Sequence, residues 1–448
     1  MRNSELYQQA KAINKANKKE RSTAFQSCRE AYRFSDYDLQ SFANKTAIAS
    51  VWIKSHLDAN TIQKIATRAF KALERMMFGK AKKVRFKQKG QFASLEGKTN
   101  KQGIRWTGNG VEWSKLKLPG IITNDPVILH GLNSKIKYVR LVRRILNQKT
   151  YWFAQLVCEG EPYQKPKNII SDGTVGIDLG VSTVAIVGDE KTIWTPFAVE
   201  LNSKQKEIRK LQRKMNRQRR ANNPNNFNSN GTVKKGSKRW HKSNRYKKTA
   251  AKKREIERKQ ASQCKSSHGK LVNQTLKLGK HIKTEKVSVK AWQKNWGKSI
   301  GFKSPSSFQS ELKRKAENAG GCVLMFSTRK TALSQTCLCG NKQKKSLSQR
   351  VHHCSVCGLK MQRDILSAYL SRHVDPKTET LSIQSARHGW LGMEKSLLHG
   401  WRNGSNQFPR TEASPKSPTV GGTEEMCSNL IAREESEPFR VNETRSVS

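Results

Sequence analysis

Acidic side chains are scarce in this 448-residue chain: 34 Asp and Glu stand against 87 Lys and Arg, a formal net charge of +53. A chain this positive repels itself unless a polyanion neutralises it, so nucleic acid is the expected partner. Long apolar runs are missing too. There is no stretch of about 18 apolar residues and no signal-peptide pattern at the start, which argues against a membrane span or secretion. Nine cysteines, four of them clustered, fit a reducing cytoplasm rather than a disulfide framework. The length leaves room for two or three domains with real cores.

Those four cysteines lie in TCLCGNKQKKSLSQRVHHCSVCGLKMQRDILSAYL, residues 336–370. Cys337 and Cys339 form one knuckle and Cys354 and Cys357 a second, each followed by a glycine (Gly340, Gly358) that permits the tight turn bringing two thiolates to one ion. The pattern reads as a closed, structural zinc site worth about 10–16 kcal/mol to the folding of a small module. Disulfides or unrelated buried thiols are the alternatives. The first knuckle is Cys-x-Cys, one residue shorter than the usual spacing, which puts its geometry in question.

The remaining pattern changes along the chain. Residues 3–79 read as helices, with Ser35 and Asp38 as a capping box ahead of Leu39, Phe42, Ile48, Val51 and Trp52. Asp58 starts a further helix that Gly79 ends. From 80 to 163, β-type runs follow: 103–106, 111–113, 127–129, 138–145 and 151–158, the last two joined by an Asn147-Gln148 hairpin turn, with a basic strand at 82–89. These predict a small β-barrel or strongly bent sheet, whose interleaved basic and aromatic residues suit single-strand or RNA binding. A Pro-bearing linker, 159–171, leads to strands at 175–177, 183–187 and 192–194. Residues 201–259 are the most basic segment and predict a helical hairpin that grips phosphates, a solvated coil being the bland reading. A strand at 281–285, a helix through Phe308, Leu312 and Ala316, and a strand at 322–326 lead into the cysteine cluster. Core packing is the expected use of Trp292 and Trp296.

Three acids stand out by position. Asp178 closes an apolar strand, Glu285 ends a later one, and Asp364 opens a late helix. Each also has an ordinary reading as a turn, a surface acid or a helix cap. Brought together, they would repel and raise one another's pKa values unless cations lay between them, and two Mg²⁺ ions suit in-line phosphodiester cleavage.

The motifs GIDLGVST, SQTCLCG, CSVCGLKMQRDILSA and FKALERMMFGKAKKVRFK resemble the TnpB family, transposon-encoded RNA-guided DNA endonucleases related to the compact type V CRISPR effectors and often called transposases. The resemblance runs over roughly residues 30–372. It implies a multi-domain α/β and β fold: a helical recognition lobe (1–79), an oligonucleotide-binding β-barrel or wedge domain (80–163), and an RNase H-like, RuvC-type nuclease domain (171–330) with the basic insert 201–260. A zinc ribbon (331–360) and the final nuclease helix (361–373) complete it. It implies Asp178, Glu285 and Asp364 as catalytic acids holding two Mg²⁺, with structural Zn²⁺ on Cys337, Cys339, Cys354 and Cys357. The implied partners are a guide RNA from the transposon's end and target DNA, in the cytoplasm and on the nucleoid when DNA-bound. The family's usual opening strand is not evident ahead of the first helices, as in a chain truncated or begun late. Residues 374–448, polar and poor in apolar residues, read as a disordered tail, and the repeated His-Gly-Trp at 388–390 and 399–401 has no assigned role. The expected function is an RNA-guided, Mg²⁺-dependent DNA endonuclease, with guide pairing reading sequence. A catalytically silent RNA-guided regulator, a strand-transfer transposase and a non-specific RNA-binding protein are the alternatives.

Overall fold

The computed structural model describes residues 4–87, 90–198, 200–201, 203–236, 238–346 and 348–407. The fold is mixed α/β with several parts, and it divides into two compact units, Met1–Tyr163 and Gln164 onward. The division falls within the expected linker.

The first unit opens with helices Glu5–Ala12, Lys18–Ala31, Asp36–Ala49, Val51–His56 and Ala59–Met77. Their ends follow local chemistry. The Ser35 hydroxyl accepts from the Asp38 N–H and the Asp58 carboxylate from the Thr61 N–H, which satisfies orphan donors at two helix starts. Gly79, at φ +68°, turns the chain just past the last of them. Of the apolar residues in the third and fourth helices, Phe42 and Trp52 are each 69% exposed, and Ile48 and Val51 are exposed too.

Strands follow in the same compact unit, so the boundary expected at 79/80 does not separate two units here. Ser94–Glu96, Lys135–Leu146 and Lys149–Glu159 form one antiparallel sheet; Arg105–Trp106, Gly110–Trp113 and Leu116–Pro119 form another. No strand pairing among the described residues joins the two into a closed barrel. The hairpin turn lies at Asn147-Gln148, both with positive φ (46° and 67°), as a two-residue turn matched to strand twist requires. Two expectations fail. Residues 127–129 lie in helix Pro126–Leu132, because Asp125 caps it and Pro126 is preset for its first turn, and these overrule the β-branched run. Residues 82–87 of the supposed basic strand form no strand, and 88–89 lie outside the described residues.

In the second unit a five-stranded sheet has the order Cys322–Phe326, His281–Glu285, Thr174–Leu179, Thr183–Val187, Thr192–Pro196. The first three of these run parallel to one another, and the last two continue antiparallel as a meander from Thr174–Leu179. Both faces are covered, which is why Thr183–Val187 is buried throughout. Alternation divides the core in two. Val175, Ile177, Leu179, Val184, Ile186 and Ile282 pack with Val272 and Leu276 of helix Asn244–Leu276 and with Phe308, Leu312 and Ala316 of helix Pro305–Asn318. Ala185, Val187, Trp194 and Phe326 face the other way, onto helices Arg363–Arg372 and Ile383–Ser405 and the cysteine cluster. Trp292 packs partly against the first core, whereas Trp296 is 38% exposed and outside it. The basic segment forms the helical hairpin expected, Gln205–Ala221 and Asn244–Leu276, though its second helix runs well past residue 260.

Residues 374–407 correct the expectation of disorder; 408–448 lie outside the described residues. Ile383–Ser405 is a helix capped by Ser382, and the His-Gly-Trp repeat explains it. Eleven residues are close to three turns, so Trp390 and Trp401 share a face, with Leu397 between them. Both tryptophans are buried, at 1% exposure. Gly400 and Gly404 let the helix sit on the outer strand, since a Cβ at either would press on Thr192 or Trp194. Trp390→Ala should therefore destabilise the unit by about 3–5 kcal/mol, as loss of a buried core aromatic does, in denaturant unfolding followed by circular dichroism. A change within about 0.5 kcal/mol would restore the view of this segment as tail.

Candidate functional site

The three acids arrive from separate elements. Thr284 pairs with Ile177 in the parallel ladder, so the next residues, Glu285 and Asp178, end adjacent strands on the same face. Helix Arg363–Arg372 crosses that face. Its approach depends on Gly176, where a Cβ would overlap the Ala368 carbonyl and the Ser371 hydroxyl. Two residues from Gly176 along the strand is Asp178, about 7 Å on, and one turn back from Ala368 is Asp364, about 6 Å. The helix thus carries Asp364 toward Asp178.

The polar flanks of Glu285, unusual for an inner strand, have uses. Lys283 donates to the Arg372 and Val374 carbonyls at 2.8 Å each, capping the end of the crossing helix. His281 lies at the far, solvent-facing end of the strand beside Asp172.

The electrostatics tie the set together. Asp178 is held well above the usual carboxylate range, first by burial, then by the charges of Asp364 and Glu285; Arg363 and the Ser367 hydroxyl pull the other way. Burial raises Glu285, against hydrogen bonds from the Leu333 N–H and the Thr331 hydroxyl. Asp364, 6% exposed, accepts from the Thr183 hydroxyl at 3.0 Å and from Arg363 Nε and Nη2 at 3.2 and 3.1 Å. Arg363 also donates to the Ser346 and Gln349 carbonyls, linking that acid to the loop between the knuckles.

Sequence reasoning did not find Thr183, Thr331, Arg363 and Ser367. Thr331 and the Leu333 N–H flank Ala332, a non-glycine residue at φ +46°, a strained turn of the kind that accumulates at functional sites. Ser367 could have been read as the i+3 neighbour of Asp364.

The four cysteines converge. Their sulfurs all lie within 4.8 Å of one another, with 3.5 Å between Cys337 and Cys357 and 3.6 Å between Cys339 and Cys354. A tetrahedron of Zn–S bonds of about 2.3 Å needs edges of about 3.8 Å, whereas a disulfide needs about 2.05 Å. The donor set could therefore bind a zinc ion, and all four thiols are free. The short knuckle closes by the same device as the longer one. Cys337 N–H donates to the Asn341 carbonyl and Cys354 N–H to that of Leu359, with Gly340 and Gly358 at φ +83° and +73°. Omission of one residue shortens the loop without opening it.

At Cys354 burial acts to raise the thiol pKa, but the Cys357 and Val356 N–H groups, the Cys337 thiol and the Asn341 amide bring it down to about 6. Burial raises Cys337, and it holds Cys357 at about 11. A cation relieves the cost of ionising the set. Arg387, from helix Ile383–Ser405, donates to the Leu338 and Cys339 carbonyls and braces the short knuckle.

The carboxylates do not close as tightly as the sulfurs, for among the described residues only the cysteines form a group within 4.8 Å.

Two expectations follow. Purified protein should carry one zinc per chain by elemental analysis, and Cys354→Ala should lose it together with several kcal/mol of stability; a metal-free, equally stable wild type would contradict this. The second concerns Asp178. Its native pKa is raised, so the folded state holds the proton more tightly than the unfolded state, and stability falls as pH rises from the ordinary carboxylate range through the native pKa. Asp178→Asn should raise the Tm of metal-free protein at pH 7, with the gain vanishing toward pH 4, and Mg²⁺ should narrow the difference. A lower Tm at pH 7 would remove the basis for a strained acid cluster.

Residues 306–370 match the family described as Cas12f1-like, TNB domain. No curated protein matches the chain. Among solved structures, a cryo-EM structure of a Cas12f1–sgRNA–target DNA complex is 13% identical, covering 84% of this chain and 89% of that chain, at a TM-score of 0.40. A cryo-EM structure of a CRISPR-Cas12f ternary complex is 14% identical, covering 84% and 88%, at a TM-score of 0.29. The matched segment holds most of helix Pro305–Asn318, the strand Cys322–Phe326, both knuckles and most of the helix with Asp364, and on that segment the chain is similar to the TnpB/Cas12f-like proteins.

Proposed function

We propose that this protein is an RNA-guided DNA endonuclease of the RuvC type, in which Asp178, Glu285 and Asp364 hold two Mg²⁺ ions. The register that sets Glu285 beside Asp178, and the close crossing at Gly176 of the helix that bears Asp364, support this most directly; the charges of Asp364 and Glu285 add to burial in raising the Asp178 pKa. The strand order supports an RNase H-like domain: three antiparallel meander strands, with two parallel strands added beside the first.

Bound Mg²⁺ would supply activation of water and stabilisation of the leaving 3′ oxygen in phosphodiester hydrolysis. The chain's own groups supply position. Thr183 and Arg363 fix the two oxygens of Asp364, Ser367 orients Asp178, and Thr331 with the Leu333 N–H orients Glu285. Arg363, only 11% exposed at its side chain, neutralises Asp364 and is placed to hand over to a phosphate or a cation.

The basic hairpin would carry the nucleic acid. Its cations stand along helices Gln205–Ala221 and Asn244–Leu276, and Arg219 lies 4.9 Å from the ring centroid of Trp240, which holds the connecting loop to the hairpin. Lys214, Arg217, Arg245 and Lys248 line one cleft between the helices, a phosphate-tracking surface. By family resemblance the guide is an RNA from the end of the encoding transposon, and pairing reads the target. The four-cysteine centre is structural and takes no part in cleavage.

The test uses protein with its co-purified RNA and a plasmid bearing the sequence complementary to that guide. Asp178→Ala and Asp364→Ala should each lower cleavage by about 10³-fold or more while retaining the RNA. Cleavage surviving in both variants would refute the assignment.

A further inference from the structure

A cavity of about 540 Å³ lies against the helical hairpin, bounded by helices Gln205–Ala221 and Asn244–Leu276, the loop at 301–304 and the start of helix Pro305–Asn318. It falls within the size range of small-ligand sites, about 300–1,000 Å³. None of the acids or cysteines described above lines it.

We propose that this cavity receives one unpaired nucleobase of the bound nucleic acid, a purine presenting an amino group. The proposal rests on the nucleic-acid reading above and names a contact within it.

The lining argues for a base rather than a phosphate. Gln260, only 8% exposed, lines the cavity, and its side-chain nitrogen is buried without a hydrogen-bond partner. An unpaired buried amide is costly, and a ligand edge inside the cavity would satisfy it. Gln205 and Gln212 add amides that both donate and accept, as a base edge requires. Glu257 and Glu311 oppose an anion and favour ring N–H and exocyclic amino donors. Both carboxylates also have cationic neighbours: Glu257 meets Lys253 at 2.5 Å, and Glu311 meets Arg314 at 2.7 Å.

The loop supplies an aromatic wall. Phe302 lines the cavity, and such a side chain can stack on a base. The loop is pinned from beneath: His268 Nε2 donates to the Lys303 carbonyl at 2.8 Å, and the Cys264 thiol reaches the same oxygen at 3.5 Å. Burial lowers the His268 pKa, with the hydrogen bond to the Lys303 carbonyl acting the other way. Lys265 and the start of helix Pro305–Asn318, which has no side-chain cap, stand beside the cavity where the nucleotide's phosphate would emerge.

The test titrates full-length protein, freed of nucleic acid at high salt, with AMP, GMP, CMP, UMP and inorganic phosphate. A purine monophosphate should bind more tightly than UMP, and Gln260→Leu and Phe302→Leu should each weaken it roughly five- to a hundredfold. Phosphate competing as well as the nucleotides, or both variants binding as wild type does, would overturn the proposal. Should one variant fold poorly, ultraviolet cross-linking of the wild-type complex decides: an RNA adduct on Phe302 supports the pocket, and retained RNA with no adduct there refutes it. Absence of any co-purifying RNA would instead strike at the guided-nuclease reading itself.

Discussion

One close approach organises the second unit: the backbone of helix Arg363–Arg372 lies against the sheet at Gly176, where there is no room for a Cβ. From that contact the register of strand and helix carries Asp178 and Asp364 toward each other. Lys283 caps the helix end, and Ser371 donates to the Lys283 carbonyl at 3.3 Å, so the crossing is fixed at its far end as well. A shift of one residue in the strand would turn Asp178 to the opposite face. The crossing therefore sets the acid geometry, and the neighbouring hydroxyls refine it.

Repulsion among the acids is the cost of this arrangement. Asp178 bears it most clearly, raised by burial and by its two neighbours, with Arg363 as partial compensation. Such strain persists only where the surrounding fold is rigid enough to hold it. Here rigidity comes from sheet faces packed on both sides and from the helix ending at Ser405, which joins the outer strand, the crossing helix and the short cysteine knuckle in one core. The four-cysteine cluster and the acid cluster are thus neighbours through Arg363, whose guanidinium binds Asp364 on one side and the loop between the knuckles on the other.

Much of this was legible in the residues. Val175–Ile177 and Thr183–Val187 announce strands by apolar content, and Glu285 was placed at a strand end despite polar neighbours. The four cysteines were legible because glycine after each pair fixes the turn, and the omitted residue in the first knuckle proved harmless since the closing hydrogen bonds do not depend on it. Other parts were hidden for physical reasons. The helix Ile383–Ser405 lies in a segment of tail-like composition, and its core face shows only as an eleven-residue spacing of two tryptophans. Residues 127–129 look like a strand until Asp125 and Pro126 are weighed as a helix start. Hydroxyl groups such as Thr331 and Ser367 carry no pattern of their own, because their role depends on which acid the fold sets beside them.

The central claim is that Asp178, Glu285 and Asp364 form one divalent-metal site. Anomalous diffraction from crystals of the protein equilibrated with Mn²⁺, recorded at the manganese edge, tests it most directly. The account predicts manganese peaks within coordination distance of all three carboxylates, about 2.0–2.3 Å for the liganding oxygens. Manganese bound elsewhere, with Arg363 still seated on Asp364 and no peak beside Asp178, would contradict it.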